Sequence, residues 1–267
     1  MRPNKLREIW ADGGTVINGW LSIPNAFSAE IMANQGWDSV TIDTQHGMID
    51  FSRALEMLIG ISTTDAVPMA RAPWLEPGIL MKLLDAGAYG IICPMINTVE
   101  DAENLARFTH YAPQGARSFG PLRASLYAGG DYAEKANDSI VVFAMIETKQ
   151  AVDNLEGILA VPGIDAVYIG PSDLSLSLGC KPVLDDVEKP VSDAIDYILA
   201  KTKEHGKVAG IHNGTTQSAL MRAEKGFQFV TIATDARLLA VGAQQVVKEM
   251  RNGGKPAEAE KSSGGYI

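Results

Sequence analysis

One unit recurs along this chain: a helical pattern, a glycine, a short apolar run and a polar turn. It is visible in "NQGWDSVTIDTQHG", "DAGAYGIICPM", "VPGIDAVYIGPSD", "EHGKVAGIHNG" and "EKGFQFVTIATD". Gly36, Gly87, Gly163, Gly206 and Gly226 fall where a helix C-terminus favours a left-handed residue. Helix starts are marked as well. Thr98 precedes "VEDAENLARF" with Asp101 three residues on, and Thr148 precedes "KQAVDNLEGIL". Adding "GTVINGWLS", "AVPMARAP" and "SIVVFAMIET" predicts eight strands, with cores at 15–21, 38–43, 66–71, 89–94, 140–146, 165–169, 207–212 and 228–233.

Most of these runs are continuously apolar, as strands covered on both faces are. Eight of them interleaved with helices predict a (β/α)8 TIM barrel of class α/β. A doubly wound open sheet is the competing arrangement, but no G-x-G-x-x-G follows the first strand. Residues 1–253 are expected to form a single barrel domain, and the polar stretch 254–267 a disordered tail. The long segment Pro113–Lys135, rich in glycine and arginine, is expected to be a functional loop following strand 4 and its helix.

Composition narrows the partners. The chain has 267 residues, 46% hydrophobic and 21% charged, with a formal net charge of −9. It has no run of Lys or Arg, so neither a nucleic-acid footprint nor a membrane-surface role is expected. Neither a signal-type leader nor a run of apolar residues long enough to span a bilayer is found, and the expected location is the cytoplasm. The two cysteines, Cys93 and Cys180, make no disulfide framework, and Cys93 reads as a small core residue.

In such a barrel the chemistry gathers at the C-terminal strand ends. Strand 1 ends at Trp20 and Ser22, strand 2 in Asp43, Gln45 and His46, strand 3 in Arg71, and strand 5 in Glu147. Strand 6 runs through the Gly170-Pro171 break to Asp173, and strand 7 ends in His212-Asn213. Glu147 and Asp173 leave neighbouring strands, about 4.8 Å apart, so they could share one hard cation such as Mg²⁺ or Mn²⁺. Each could instead cap a helix. Arg71 suits recognition of a carboxylate or polarisation of a carbonyl, or else a structural ion pair with Asp43. His46 has the pKa range of a proton acceptor at neutral pH, whereas His110 and His205 read as surface residues on helix ends. No lysine lies in the C-terminal half of a predicted strand, which disfavours a Schiff base. The turn after strand 8, "IATDARLLA", lacks the glycines of a phosphate cradle.

Together these pieces resemble the HpcH/HpaI family of metal-dependent 2-oxo acid aldolases, from about Val16 to Met250. The matching stretches are "GWLSIPNAFSAEIMANQGWDSVTIDTQHG", "ARAPWLEPGILMKLLDAGAYGIICPM", "GARSFGP", "MIETKQAVDNLEGILAVPGIDAVYIGPSDLSLSLG" and "VTIATDARLL". The resemblance implies that Glu147 and Asp173 bind a divalent cation (Mg²⁺, Mn²⁺ or Co²⁺) and that Arg71 contacts the 2-oxo acid. It makes His46 the base with Asp43 supporting it, and has Asp85 in "KLLDAG" reach the histidine of a neighbouring subunit. The backbone N–H groups of Ser172 and Asp173 would hold the substrate carboxylate, with Trp20 and Gly170 completing the substrate contacts. A homohexamer that exchanges its last helix is also implied.

The chain departs from the hydroxyheptanedioate aldolases of that family at Met145, where they carry glutamine, and at Gln45, where they carry glutamate. His212-Asn213 would give the acceptor end of the site a more polar strand 7 than an apolar aldehyde calls for. The function expected is reversible cleavage of 4-hydroxy-2-oxo acids to pyruvate, or hydroxypyruvate, and an aldehyde. Decarboxylation of a 2-oxo diacid through the same enolate, or a non-catalytic carboxylate-binding barrel, are the alternatives.

Overall fold

A computed structural model describes residues 1–253; the stretch expected to be a disordered tail lies outside the described residues. Eight strands, β1 (Val16–Leu21), β2 (Ser39–Asp43), β3 (Val67–Arg71), β4 (Gly90–Cys93), β5 (Val141–Met145), β6 (Ala166–Ile169), β7 (Val208–Asn213) and β8 (Phe229–Ile232), pair in parallel and in sequence order. Pairing of β8 with β1 closes the barrel. Between and around the strands run α1 (Lys5–Ala11), α2 (Ala26–Ala33), α3 (Phe51–Ile61), α4 (Pro77–Asp85), α5 (Val99–Thr109), α6 (Leu122–Ala128) and α7 (Tyr132–Ser139). They are followed by α8 (Lys149–Asp153), α9 (Leu155–Leu159), α10 (Pro171–Ser177), α11 (Lys189–Glu204), α12 (Thr216–Lys225) and α13 (Asp235–Arg251). No helix among the described residues is long and apolar enough to cross a membrane.

The punctuation in the sequence does what its chemistry predicts. Thr98 and Asp101 form a reciprocal capping box at the start of α5, and Thr148 accepts from Ala151 N at the start of α8. All five glycines after helices have positive φ. At Gly226 the left-handed cap turns α12 directly into β8, a conformation that a side chain would oppose.

Strand residues alternate between two cores. Val141, Phe143 and Met145 fill the lumen with Val16, Met69, Tyr168 and Phe229, while Val142 and Ala144 pack outward against the helices. Both faces are therefore dry, and each buried aliphatic or aromatic side chain contributes about 1.5–3 kcal/mol. Leu6 of α1 closes the N-terminal end of the lumen. Cys93 is buried in the outer core, as expected of a small apolar residue.

The segment Pro113–Lys135 is not a loop over the site. It holds α6 and the start of α7 and connects α5 to β5, so topology puts it at the N-terminal end of the barrel. Buried Arg117 explains the order there: it ion-pairs with Asp85 (2.6 Å), hydrogen-bonds the Tyr132 hydroxyl (3.1 Å) and lies over the Tyr111 ring. Arg123 ties the same segment to the α3 and α4 C-termini through Ser62 Oγ (2.8 Å) and the Ala86 carbonyl. Length and the glycines and arginines suggested a loop, whereas each arginine has a specific acceptor.

A second difference concerns His110, expected at the surface. It is buried at the end of α5, with Nδ1 near the Ala106 carbonyl (2.8 Å) and Thr109 Oγ1 (3.1 Å). His205 does lie exposed on the end of α11.

Candidate active site

A cavity of about 600 Å³ opens at the C-terminal strand ends, lined by Trp20, Asp43, His46, Ser172 and Asp173 together with an apolar wall. Its floor is built from residues that a closed parallel barrel must bring together. The β2–β3 register sets Asp43 beside Arg71. Arg71 donates from Nε to Asp43 Oδ1 (2.9 Å) and from Nη2 to Oδ2 (2.6 Å), a two-point grip between buried groups. Trp20 lies under this pair: the guanidinium carbon stands 4.8 Å from its ring centroid, and its indole N–H donates to Asp43 Oδ2 (3.3 Å). Burial by itself would raise the Asp43 pKa. The charge and hydrogen bonds of Arg71, with the N–H groups of His46 and Gln45, override it and hold the carboxyl below its ordinary value.

Asp43 thus supports His46 through the backbone: the His46 N–H donates to Oδ1 (3.2 Å), as does that of Gln45 (3.0 Å). The His46 imidazole itself is exposed at the cavity rim and has no hydrogen-bond partner among the described residues. Gln45 buries its Oε1 without a partner among them.

Glu147 stands just past β5, buried, with Oε1 accepting the Met95 N–H (2.9 Å). Met95 adopts a left-handed φ of 57°, a conformation uncommon for a side-chain-bearing residue, so the turn after β4 aims its amide at the carboxylate. Oε2 lies against the Gly170 backbone, where an added Cβ would come within 2.6 Å of it. Desolvation raises the Glu147 pKa to about 7, the Asp173 charge adds to the rise, and the Met95 N–H and Arg71 moderate it. Neither carboxylate caps the helix that follows it: Thr148 caps α8, and Gly170 stands at the α10 N-cap with no side-chain cap. Two acidic groups near one another, one of them buried with a raised pKa, are a hard oxygen donor set. They fit a divalent ion that keeps other oxygens in its shell; no group of three or more His, Cys, Asp or Glu side chains suited to a metal occurs among the described residues.

The first turn of α10 presents the backbone N–H groups of Ser172 and Asp173, which have no acceptor within the helix. Met145 is buried in the lumen below, its Cε 3.2 Å from the place where a Gly170 Cβ would stand. Asp85 is not brought to the cavity. It ends α4 at the opposite end of the barrel and pairs there with Arg117. Lys207 is also at that end, hydrogen-bonded to the Ile164 carbonyl.

His212 and Asn213 do not give the cavity a polar wall, contrary to the expectation. Both are buried: the Tyr168 hydroxyl meets His212 Nδ1 (3.0 Å) and Thr231 Oγ1 (2.8 Å), and Asn213 Nδ2 donates to the Ile211 and Thr231 carbonyls (3.1 and 3.0 Å). Burial pushes the His212 pKa down to about 3, with the Arg71 charge in the same direction, so the imidazole is neutral. The network of Tyr168, Thr231 and Asn18 was not singled out in the sequence. Its signal was weak: polar residues at alternate positions of strands that otherwise read as fully apolar. Asp235 was missed too. It opens α13 and accepts from Ser22 N (2.8 Å) and Ile23 N (3.1 Å), fixing one rim of the cavity.

Comparison with known proteins identifies the family. The chain is 44% identical to the hydroxypyruvate/pyruvate aldolase of Rhizorhabdus wittichii over 248 residues, which cover 93% of this chain and 99% of that protein. It is 35% identical to the 4-hydroxy-2-oxo-heptane-1,7-dioate aldolase of Salmonella dublin over 246 residues, 90% of this chain and 92% of that one. A crystal structure of an HpcH/HpaI aldolase/citrate lyase family protein from Burkholderia cenocepacia superimposes with a TM-score of 0.87 at 31% identity, covering 93% of this chain and 99% of the other. Residues 17–241 match the family model described as HpcH/HpaI aldolase/citrate lyase. With the family model, both relatives and the barrel in accord, the chain belongs to the HpcH/HpaI aldolase/citrate lyase family.

Proposed function

We propose that this protein is a carbon–carbon lyase that reversibly cleaves 4-hydroxy-2-oxo acids into pyruvate, or hydroxypyruvate, and an aldehyde. The observation that carries the reading is one cavity lined by His46, Asp43 and Asp173, with Arg71 gripping Asp43 behind it and the buried Glu147 close enough to feel the Asp173 charge. The resemblance to aldolases over nine-tenths of the chain supports it.

The 2-oxo acid carboxylate docks on the Ser172 and Asp173 N–H groups, and Arg71 faces the 2-oxo group. His46 accepts the proton of the 4-hydroxyl as the C3–C4 bond breaks. C4 leaves as the aldehyde carbonyl, and the bonding pair passes to C3, making the enolate of pyruvate. Protonation of C3 completes the product. Arg71 is fixed by Asp43 before substrate arrives, so its charge meets the enolate without reorganising. Glu147 and Asp173 would hold a divalent cation (Mg²⁺, Mn²⁺ or Co²⁺), which would supply Lewis-acid charge beside Arg71.

The working unit in this reading is a homo-oligomer, a hexamer as the family resemblance implies. Helix α13 buries only Asp235 and Arg237 of its 17 residues, leaving Leu239, Val246 and Met250 exposed. Ile17, on the outer face of β1, is 45% exposed where a barrel strand is normally covered. A second copy's α13 suits that face, and Asp85 would then complete a neighbour's site. The test of function is direct: purified enzyme is supplied with Mn²⁺ and 4-hydroxy-2-oxo acids, and pyruvate release is followed. Absence of release from every such acid would overturn the reading.

A further inference from the structure

The apolar wall of the cavity bears on which aldehyde the site accepts. Ile23, Pro24, Met48, Leu176, Pro182 and Ala236 form it, and no lysine or arginine is among the residues lining the cavity. Met48 and Leu176 stand at the mouth, 78% and 59% exposed, on a chain of net charge −9. The cation nearest the floor, Arg71, holds Asp43 by two hydrogen bonds. His212 and Asn213, the polar residues at the end of β7, are turned into the buried network with Tyr168 and Thr231.

We infer that the acceptor half of the site is built for an uncharged aldehyde carrying an aliphatic or aromatic substituent, and that it discriminates against one ending in a carboxylate. This rests on the aldolase reading above and names its substrate class. A methylene chain gains by leaving water against Met48 and Leu176. A terminal carboxylate on the same chain would lie against apolar side chains, with no lysine or arginine of this chain on the wall to receive it. A site of this kind discriminates through what it leaves unpaired. The inference separates this chain from the relative whose name specifies a 1,7-dioate.

The test compares two substrates of equal length, 4-hydroxy-2-oxoheptanoate and 4-hydroxy-2-oxoheptane-1,7-dioate, on the full-length oligomer as isolated, with Mn²⁺. The expected result is a kcat/KM for the heptanoate at least about tenfold higher. Met48→Lys and Leu176→Lys should each move that ratio at least about fivefold toward the dioate, because each places a cation on the wall. Equal use of the two substrates, or preference for the dioate, would overturn the inference and leave the aldolase reading standing. A ratio unmoved by both lysine variants would overturn the charge argument. Cleavage of neither substrate would instead remove the aldolase reading on which the inference stands.

Discussion

Arg71 grips Asp43 through two parallel hydrogen bonds of 2.9 and 2.6 Å, over the face of Trp20. The sequence left open an ion pair or a substrate contact for Arg71, and the structure shows the ion pair. Asp43 fixes the guanidinium so that it can present charge to a substrate in a set orientation, and an ion pair of this geometry is compatible with both roles. Arg71→Lys keeps the charge but loses the planar fork, so kcat/KM should fall at least about tenfold, on the order of 1.4 kcal/mol in barrier. Arg71→Ala leaves Asp43 buried without its partner and should also cost stability, about 3–5 kcal/mol. A lysine variant with unchanged turnover would make the pair purely structural.

Glu147 predicts how cation binding depends on pH. Its folded pKa is raised to about 7 from an ordinary 4.5. The protonated native form is therefore favoured, and the metal-free protein loses stability as pH climbs from about 4.5 through about 7. A cation must displace that proton. Below pH 7 its apparent Kd should rise by up to about tenfold per pH unit, levelling off above. Calorimetric titration with Mn²⁺ at pH 6 and pH 8 checks this, and equal affinities would remove Glu147 from the cation site.

Gly170 has the same carboxylate as its neighbour. A methyl group there would lie 2.6 Å from Glu147 Oε2, while φ of −96° is open to any residue. Gly170→Ala should therefore fold normally and displace the carboxylate. Its expected signature is a cation-induced rise in Tm much smaller than the wild-type one, with the metal-free Tm nearly unchanged.

Most of the architecture was legible because its determinants are local. The apolar runs, the capping box at Thr98 and the glycines after helices each act within a few residues, and all eight strands lie at the predicted positions. Strand ends also announced Asp43, Arg71 and Glu147. What escaped was set by distant partners. Arg117 is ordered by Asp85, 32 residues away, and Asp235 holds Ser22 across 213 residues. His212 looked like a site residue on sequence, yet Tyr168, 44 residues earlier, draws it into the lumen. Side-chain direction at a strand end depends on such pairings, and a linear pattern does not carry them.

Separation of enolate formation from proton removal gives a further check. With pyruvate and Mg²⁺ but no aldehyde, the pyruvate methyl protons should exchange with D₂O, and a chelator should abolish the exchange. Glu147→Gln and Asp173→Asn should abolish it too, since each removes one anion from a set of two. His46→Ala should keep cation binding and lose cleavage most. Exchange at full rate in the metal-stripped protein, followed by NMR of the methyl signal, would rule out the cation's part in enolate formation.

The last prediction concerns Asp85, which the chain itself holds at the far end of the barrel, paired with Arg117 at 2.6 Å. If assembly brings that carboxylate to a neighbour's exposed His46 ring, the two residues act in one site although no single chain joins them. Asp85→Ala and His46→Ala should then each be inactive. Oligomers refolded from an equal mixture should regain about one quarter of wild-type activity, because random pairing places an intact Asp85 beside an intact His46 in that share of sites. A structural role for Asp85 predicts a different result. Loss of its ion pair with Arg117 would damage the Asp85→Ala subunit itself, and mixing would restore nothing. Placing charge on the exposed apolar face of α13, with Leu239→Glu and Val246→Glu, should then leave single chains in light scattering and abolish the complementation. Recovery that survived dissociation would mean that Asp85 does not act across an interface.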